Sequence, residues 1–222
     1  SEYNQLSVPV NLQCLNKYTI EEIIKPNTIW NRDKYLNLWV SDMRQLPSSI
    51  NGQPNLQIGN NQGCNFQSST LGYAQFPGGP AATDGIVVGP NYFGTTGYLS
   101  APFDGGRTAT HEVGHWMNLR HIWGDGGCDV DDFCADTPES DAANFGCPTT
   151  HVSCGTLDMV RNYMDYTDDT CMNLFTQDQS DRMLAVLMNS PRRDDLLVST
   201  VCNPVSTPYI QFKREACEAR PV

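Results

Sequence analysis

An α+β domain with two lobes around a cleft is the fold class this sequence predicts, and three observations predict it. Short apolar runs bounded by Gly and Pro occupy the first hundred residues, at 35–41, 71–76 and 85–89. One helix-like stretch, 108–123, follows and carries three of the chain's four histidines. Beyond it, residues 124–170 are acidic, cysteine-rich and aperiodic until a second helix signal opens at Thr176.

Taken in order, Tyr18 to Ile24 reads as a short strand or a helix start. The aromatic and aliphatic alternation of 35–41 reads as a core strand. Pro, Gly, Asn and Gln crowd 47–65, a long surface loop. Leu71 to Phe76 is a second strand, stopped by Pro77-Gly78-Gly79-Pro80, and Gly85 to Gly89 a third. An extended substrate can pair with an exposed edge strand, and Ile86 to Val88 is the expected edge. Thr176-Gln177-Asp178-Gln179 caps a core helix carrying Met183, Leu184, Val186 and Leu187, which ends near Asn189-Ser190-Pro191. The expected division is a single domain over 1–198, with an upper subdomain at 1–121 and a lower subdomain at 122–198, followed by a C-terminal extension at 199–222.

Composition narrows the function classes. A hydrophobic share of 39% in 222 residues suits a globular core. A net charge of −11 disfavours nucleic acid and anionic membrane as partners. No apolar run approaches membrane-span length, so no membrane insertion is expected. No signal peptide is visible, which reads as a mature or trimmed form. Nine cysteines without any C-x-x-C pair point to disulfides and a secreted protein, with one thiol left over by the odd count.

The chemistry lies in T-A-T-H-E-V-G-H-W-M-N-L-R-H-I-W. His111 and His115 are four apart and share one helix face, so both can reach one ion. Neutral imidazole is a good zinc ligand, and Glu112 is placed to act as base on a water activated there. Were the helix to continue, His121 would lie about 9 Å further along the axis and be turned away. It joins only if the chain breaks sharply between His115 and His121. Asn118 is the expected break, because Asn tolerates the left-handed conformation better than any residue but Gly.

About forty residues after His121 comes Asn162-Tyr163-Met164-Asp165-Tyr166. Together with the long histidine motif, this resembles the Met-turn of the metzincin metalloproteases. The string N-Y-M-D-Y-T-D-D-T-C-M-N-L-F-T-Q-D-Q-S-D-R-M, with Gly72 to Pro77, Asp84 to Val87 and Asp136-Thr137-Pro138, is similar to the pappalysins, in particular the small ulilysin-like enzymes. The likeness covers about residues 30–195. It departs at Asn118, where the metzincin pattern has Gly.

The resemblance implies a twisted mixed sheet and active-site helix in an upper lobe, above an irregular disulfide-bridged lower lobe with a C-terminal helix. It implies a monomeric, zinc-dependent endopeptidase made as a zymogen, with His111, His115 and His121 as zinc ligands and Glu112 as general base. Met164 becomes a hydrophobic floor, and Tyr166 a group that helps hold the oxyanion. Lower-lobe bridges are implied at Cys128–Cys154 and Cys147–Cys171; Cys14–Cys64 and Cys202–Cys217 use the remainder and leave Cys134 unpaired. A structural calcium is implied in the loop 129–137, on Asp132, Thr137 and the carbonyl of Ala135. Asp169, with Asp168 as the neighbouring alternative, is implied at the base of a pocket favouring Arg, or Lys, just after the scissile bond. The rivals are a catalytically silent binding module of the same fold, or another metzincin subfamily with a hydrophobic preference there.

Overall fold

Ile86, Val87 and Val88 form an unbroken apolar run, and the structure buries all three in the middle of a sheet. The structure is a computed structural model that describes residues 20–41, 43, 70–191 and 193–201. Strand β1 is Leu38–Val40, β2 is Gly72–Ala74 and β3 is Ile86–Val88, in the order β1-β3-β2. β1 lies parallel to β3 and β2 antiparallel to it, so the sheet is mixed. Two sequence expectations are corrected here. Ile86 to Val88 is the central strand and not the edge, since a strand apolar on both faces needs cover on both. Among the described strands, the segment around β1 lies at an edge and is not a core strand: Leu38 and Val40 are 36% and 45% exposed, and of its three residues only Trp39 packs inward, on Val87.

Within the first predicted segment, the described residues are helical. Ile20–Ile24 makes a π turn that runs into α1, Lys25–Thr28. Lys25 is buried there between the rings of Trp39 and Tyr73 and is paired with Glu21 at 2.6 Å. The loop at 47–65, the Cys14–Cys64 and Cys202–Cys217 pairings and the C-terminal extension from 202 onward lie outside the described residues.

Helix α2, Arg107–Trp116, packs against β3 through Trp116, with Met183 and Leu187 closing the same core from the far side. These last two come from α3, Gln177–Asn189, whose start carries a full capping box: Thr176 Oγ1 accepts from Gln179 N, and the Gln179 side chain accepts from Thr176 N. A buried ion pair ties the chain beyond α3 to the sheet. Arg193 donates to Asp84 at 2.6 Å, both side chains only 1% exposed, and its guanidinium lies 3.9 Å from the Trp116 ring. Trp116 Nε1 donates to the other oxygen of Asp84. Both charges thus have further partners besides each other, the condition under which a buried pair holds.

Between α2 and α3 the chain is mostly irregular, with one short hairpin of β4, Val152–Ser153, and β5, Thr156–Leu157. Disulfides join Cys128 to Cys154 and Cys147 to Cys171, the lower-lobe pairing the resemblance implied. Loops of that length, 26 and 24 residues, lose roughly 3–4 kcal/mol of unfolded-state entropy per bridge in the chain-entropy model. Asp158 provides a second kind of staple. Its carboxylate accepts from Ser140 Oγ, Asn144 Nδ2, His151 Nδ1, Ser153 N and Ser153 Oγ. Cys134 is buried and unbridged. Among the described residues, no helix is long and apolar enough to cross a membrane.

Candidate metal centre and cleft

The helix breaks where the sequence places the break. α2 stops at Trp116, and Asn118 takes φ 73°. Leu119 N donates to Gly114 O and Asn118 N to His115 O, the paired bonds of a Schellman turn with Asn in the left-handed position. Arg182 of α3 donates to the carbonyl of Asn118 at 2.8 Å and braces the turn. The chain reverses there and returns His121 to the helix.

The three histidines meet. His121 Nε2 lies 3.0 Å from His115 Nε2 and 3.3 Å from His111 Nε2. Each outer nitrogen has an acceptor: His111 Nδ1–H donates to Tyr163 O at 2.7 Å, His115 Nδ1–H to Leu119 O at 2.8 Å, and His121 Nδ1–H to Asp125. Carbonyls and a carboxylate can only accept, so the proton sits on Nδ1 and every Nε2 turns a lone pair inward. Two ligands at about 2.0–2.1 Å from a tetrahedral ion stand about 3.3 Å apart, and three converging lone pairs at this spacing fit zinc. Burial holds all three rings neutral. It is the main cause that drives the His111 pKa well below its ordinary value, with His115 and His121 adding to it. It takes His115 down to about 4, and it lowers His121 against the opposing pull of Asp125.

Below the helix lies Met164, fully buried against Leu119 and Ile122. Met164 N donates to Asn162 Oδ1 and Asp165 N to Asn162 O, which closes the turn. Asn162 in turn exchanges amide hydrogen bonds with Gln179, so the turn is fixed to the cap of α3. Tyr166 stands beside the histidines, its ring 4.9 Å from that of His121 and 5.6 Å from that of His111. Burial, with Glu112 and Asp125 nearby, raises its pKa, so the hydroxyl keeps a proton to donate.

A cleft of about 750 Å³ runs across this cluster, with β2 as its upper rim. Glu112 is buried in it, and a Cβ on Gly72 of β2 would fall 2.8 Å from Glu112 Oε1, so only glycine lets the strand pass so near. Asp169 also lines the cleft. Its Oδ2 accepts from Gly105 N at 2.7 Å and Arg107 N at 3.1 Å, which fixes the carboxylate at the N-terminal end of α2. Burial raises its pKa against those two bonds. Asp168 does not line the cleft; its N–H donates to Gly146 O. In the acidic loop, Asp132 and Thr137 are buried together: Asp132 Oδ1 accepts from Cys134 N and Thr137 Oγ1, while Ala135 is on the exposed side of the turn. Asp132 Oδ2 is buried with no hydrogen-bond partner among the described residues.

Three site residues escape the sequence reading. Asp125 orients His121, and Trp123 stacks flat on the same ring at 4.3 Å. The signal was an acid four residues past a ligand histidine, since such histidines usually donate their other N–H to a carboxylate. Gly114 is the third. A Cβ there would fall 2.4 Å from Met164 Sδ, and a glycine inside a helix, unfavourable by about 1 kcal/mol, marks a close approach.

A sheet above an H-E-x-x-H helix, a sharp reversal after it and a buried methionine turn beneath make this a metzincin fold. A sequence profile of the peptidase family M43, described as pregnancy-associated plasma protein-A, matches residues 18–188, and the chain belongs to that family. Extracellular metalloprotease 1 of Coccidioides posadasii is 45% identical over 120 residues, covering 51% of this chain and 43% of that protein. An extracellular metalloprotease of Verticillium alfalfae is 37% identical over 167 residues, 68% of this chain and 58% of its own length. Among solved structures, mature mirolysin of Tannerella forsythia in complex with a cleaved peptide shares 40% identity at a TM-score of 0.59, over 76% of this chain and 58% of that one. The chain thus spans about half the length of the curated relatives it matches.

Proposed function

We propose that the chain is a secreted, zinc-dependent endopeptidase acting as a monomer on proteins or peptides. The observation that carries the reading is the convergence of three neutral Nε2 lone pairs at 3.0–3.3 Å beside a buried glutamate, in an open cleft rimmed by a strand. Zinc held by His111, His115 and His121 supplies Lewis acidity, polarising the scissile carbonyl and lowering the pKa of the attacking water. Glu112 takes the proton of that water and delivers it to the departing amine. The Tyr166 hydroxyl donates to the oxygen that gains charge. Names of relatives as extracellular metalloproteases support secretion, and a promirolysin structure among the neighbours supports synthesis as a zymogen. Converting Glu112 to Gln should leave one zinc per chain and lower casein cleavage by about 10³-fold or more. Full activity in that variant would overturn the mechanism, and wild type with zinc but no cleavage would favour the silent binding module.

Two finer assignments belong to the same reading. Asp169 is the pocket carboxylate for Arg, or Lys, just after the scissile bond; its anchored Oδ2 and its remaining Oδ1 support a fixed anion there. Converting Asp169 to Asn should flatten the preference for basic residues at that position in a cleavage-site profile. Calcium is assigned to Asp132, Thr137 and the Ala135 carbonyl, supported by the buried, unpartnered Oδ2 of Asp132. Activity should fall with a calcium-selective chelator and return with calcium but not with zinc.

A further inference from the structure

Phe76 stands in the cleft with 42% of its surface exposed and its ring 5.3 Å from that of His115. Its neighbour holds it there. Gln75 accepts from Thr83 Oγ1 at 2.6 Å and donates to Pro80 O at 2.9 Å, and its backbone N–H donates to Gly85 O at 3.0 Å. The carbonyl of Gln75 meets the Arg193 guanidinium. Gly79 leaves space for the clamp, because a Cβ there would come within 2.5 Å of the Gln75 side chain. Successive side chains of extended backbone face opposite ways, so locking Gln75 outside the cleft commits Phe76 to the inside. An apolar ring kept half in water by such a clamp is preordered for a ligand, and little freedom is lost when one covers it.

The cleft also has a direction. Asp169 sits at one end of α2, on the backbone of Gly105 and Arg107. Glu112 is mid-helix beside Gly72, and Phe76 is at the other end with His115. β2 pairs with β3 on one side, and its other edge borders the cleft among the described strands. Strand residues rise about 3.3 Å each, so Phe76 stands about 13 Å of backbone beyond Gly72, with its ring leaning back over His115.

We propose that Phe76 and the face of His115 form an apolar subsite for the second or third substrate residue before the scissile bond, selecting aromatic or branched aliphatic side chains. This rests on the endopeptidase reading and on Asp169 taking the residue just after the cut. Cleavage-site profiling of a denatured protein digest should give wild type an enrichment of such residues at those positions. Converting Phe76 to Ala should remove the enrichment and leave the preference after the cut in place. As an arm that needs no variant, two peptides differing only by Phe or Ser at both the second and third residues before the cut should differ about tenfold in wild-type kcat/KM. An unchanged profile in the variant, a change confined to positions after the cut, or equal kcat/KM for the two peptides would overturn the subsite. A wild type that binds zinc and cleaves nothing would overturn the endopeptidase reading and the subsite with it.

Discussion

The two regions that flank the cleft are held together by different physics. Above it, three-residue strands and a ten-residue helix bury apolar side chains against one another, with Ile86, Val88, Trp116 and Met117 at the centre. Below it, the lobe has little regular structure and relies on two disulfides and on carboxylates that collect hydrogen bonds, Asp158 above all. The histidine cluster needs both: His111 and His115 come from the ordered helix, and His121 from the chain that reverses at Asn118, where the helix side gives way to the irregular lobe. A site divided in this way is as stable as the weaker of its two supports, and each support can be attacked separately.

The largest expected effect is in the lower lobe. Burial alone would raise the pKa of Asp158, but hydrogen bonds from Ser153, His151, Asn144 and Ser140 outweigh it and hold the carboxyl below its ordinary value. Converting Asp158 to Ala leaves the donors of Ser140, Asn144 and Ser153 buried without this acceptor, and should cost about 3–5 kcal/mol in denaturant melts. A loss under about 1 kcal/mol would show that the disulfides carry the lobe without it.

The next effect tests the helix side by pH. The three histidine rings are neutral when folded and take up protons on unfolding, so the unfolded chain binds more protons between the folded and unfolded pKa values. Stability of the metal-free protein is therefore fully present above pH 6.5 and declines as pH falls toward about 4, where His115 titrates. His115 alone accounts for at most about 3 kcal/mol of that decline. A flat melting temperature between pH 7 and 4.5 would contradict it.

Converting Asp125 to Ala probes the junction of the two regions. Zinc affinity should fall by roughly 10–100-fold with the melt of the metal-free chain little changed. The smallest effect falls on the turn itself. Asn118→Gly should be neutral to slightly stabilising, whereas Asn118→Ala should cost about 1 kcal/mol, because Ala has no relief at φ 73°. Equal melts for the two variants would mean that Arg182 and not the residue's conformational freedom sets the break.

What was legible from residues alone divides along the same line. The helix, its break at Asn118 and the capped second helix can be read, because each rests on local rules of spacing and capping, whereas the Met-turn is legible only through the family resemblance. The sheet order cannot. A run such as Ile86-Val87-Val88 is apolar on both faces, yet it reads equally well as an edge, since nothing local says which strands will flank it. The lower-lobe bridges came from resemblance, not from spacing, as connectivity cannot be deduced from cysteine positions. Asp158 is invisible for a related reason: its donors lie on residues 140 to 153, gathered by a chain with no period to follow.

Cys134 shares its lobe with two disulfides, and a free thiol among disulfides can exchange with them. Exchange requires the thiolate. Burial, reinforced by Asp132 nearby, pushes this thiol up to about 12, so at neutral pH very little of it is the reactive anion while folded. The native pairing is therefore guarded by kinetics as well as by geometry, and the guard lifts whenever the loop opens. Alkylation of Cys134 would then act as a clock for local opening of the acidic loop.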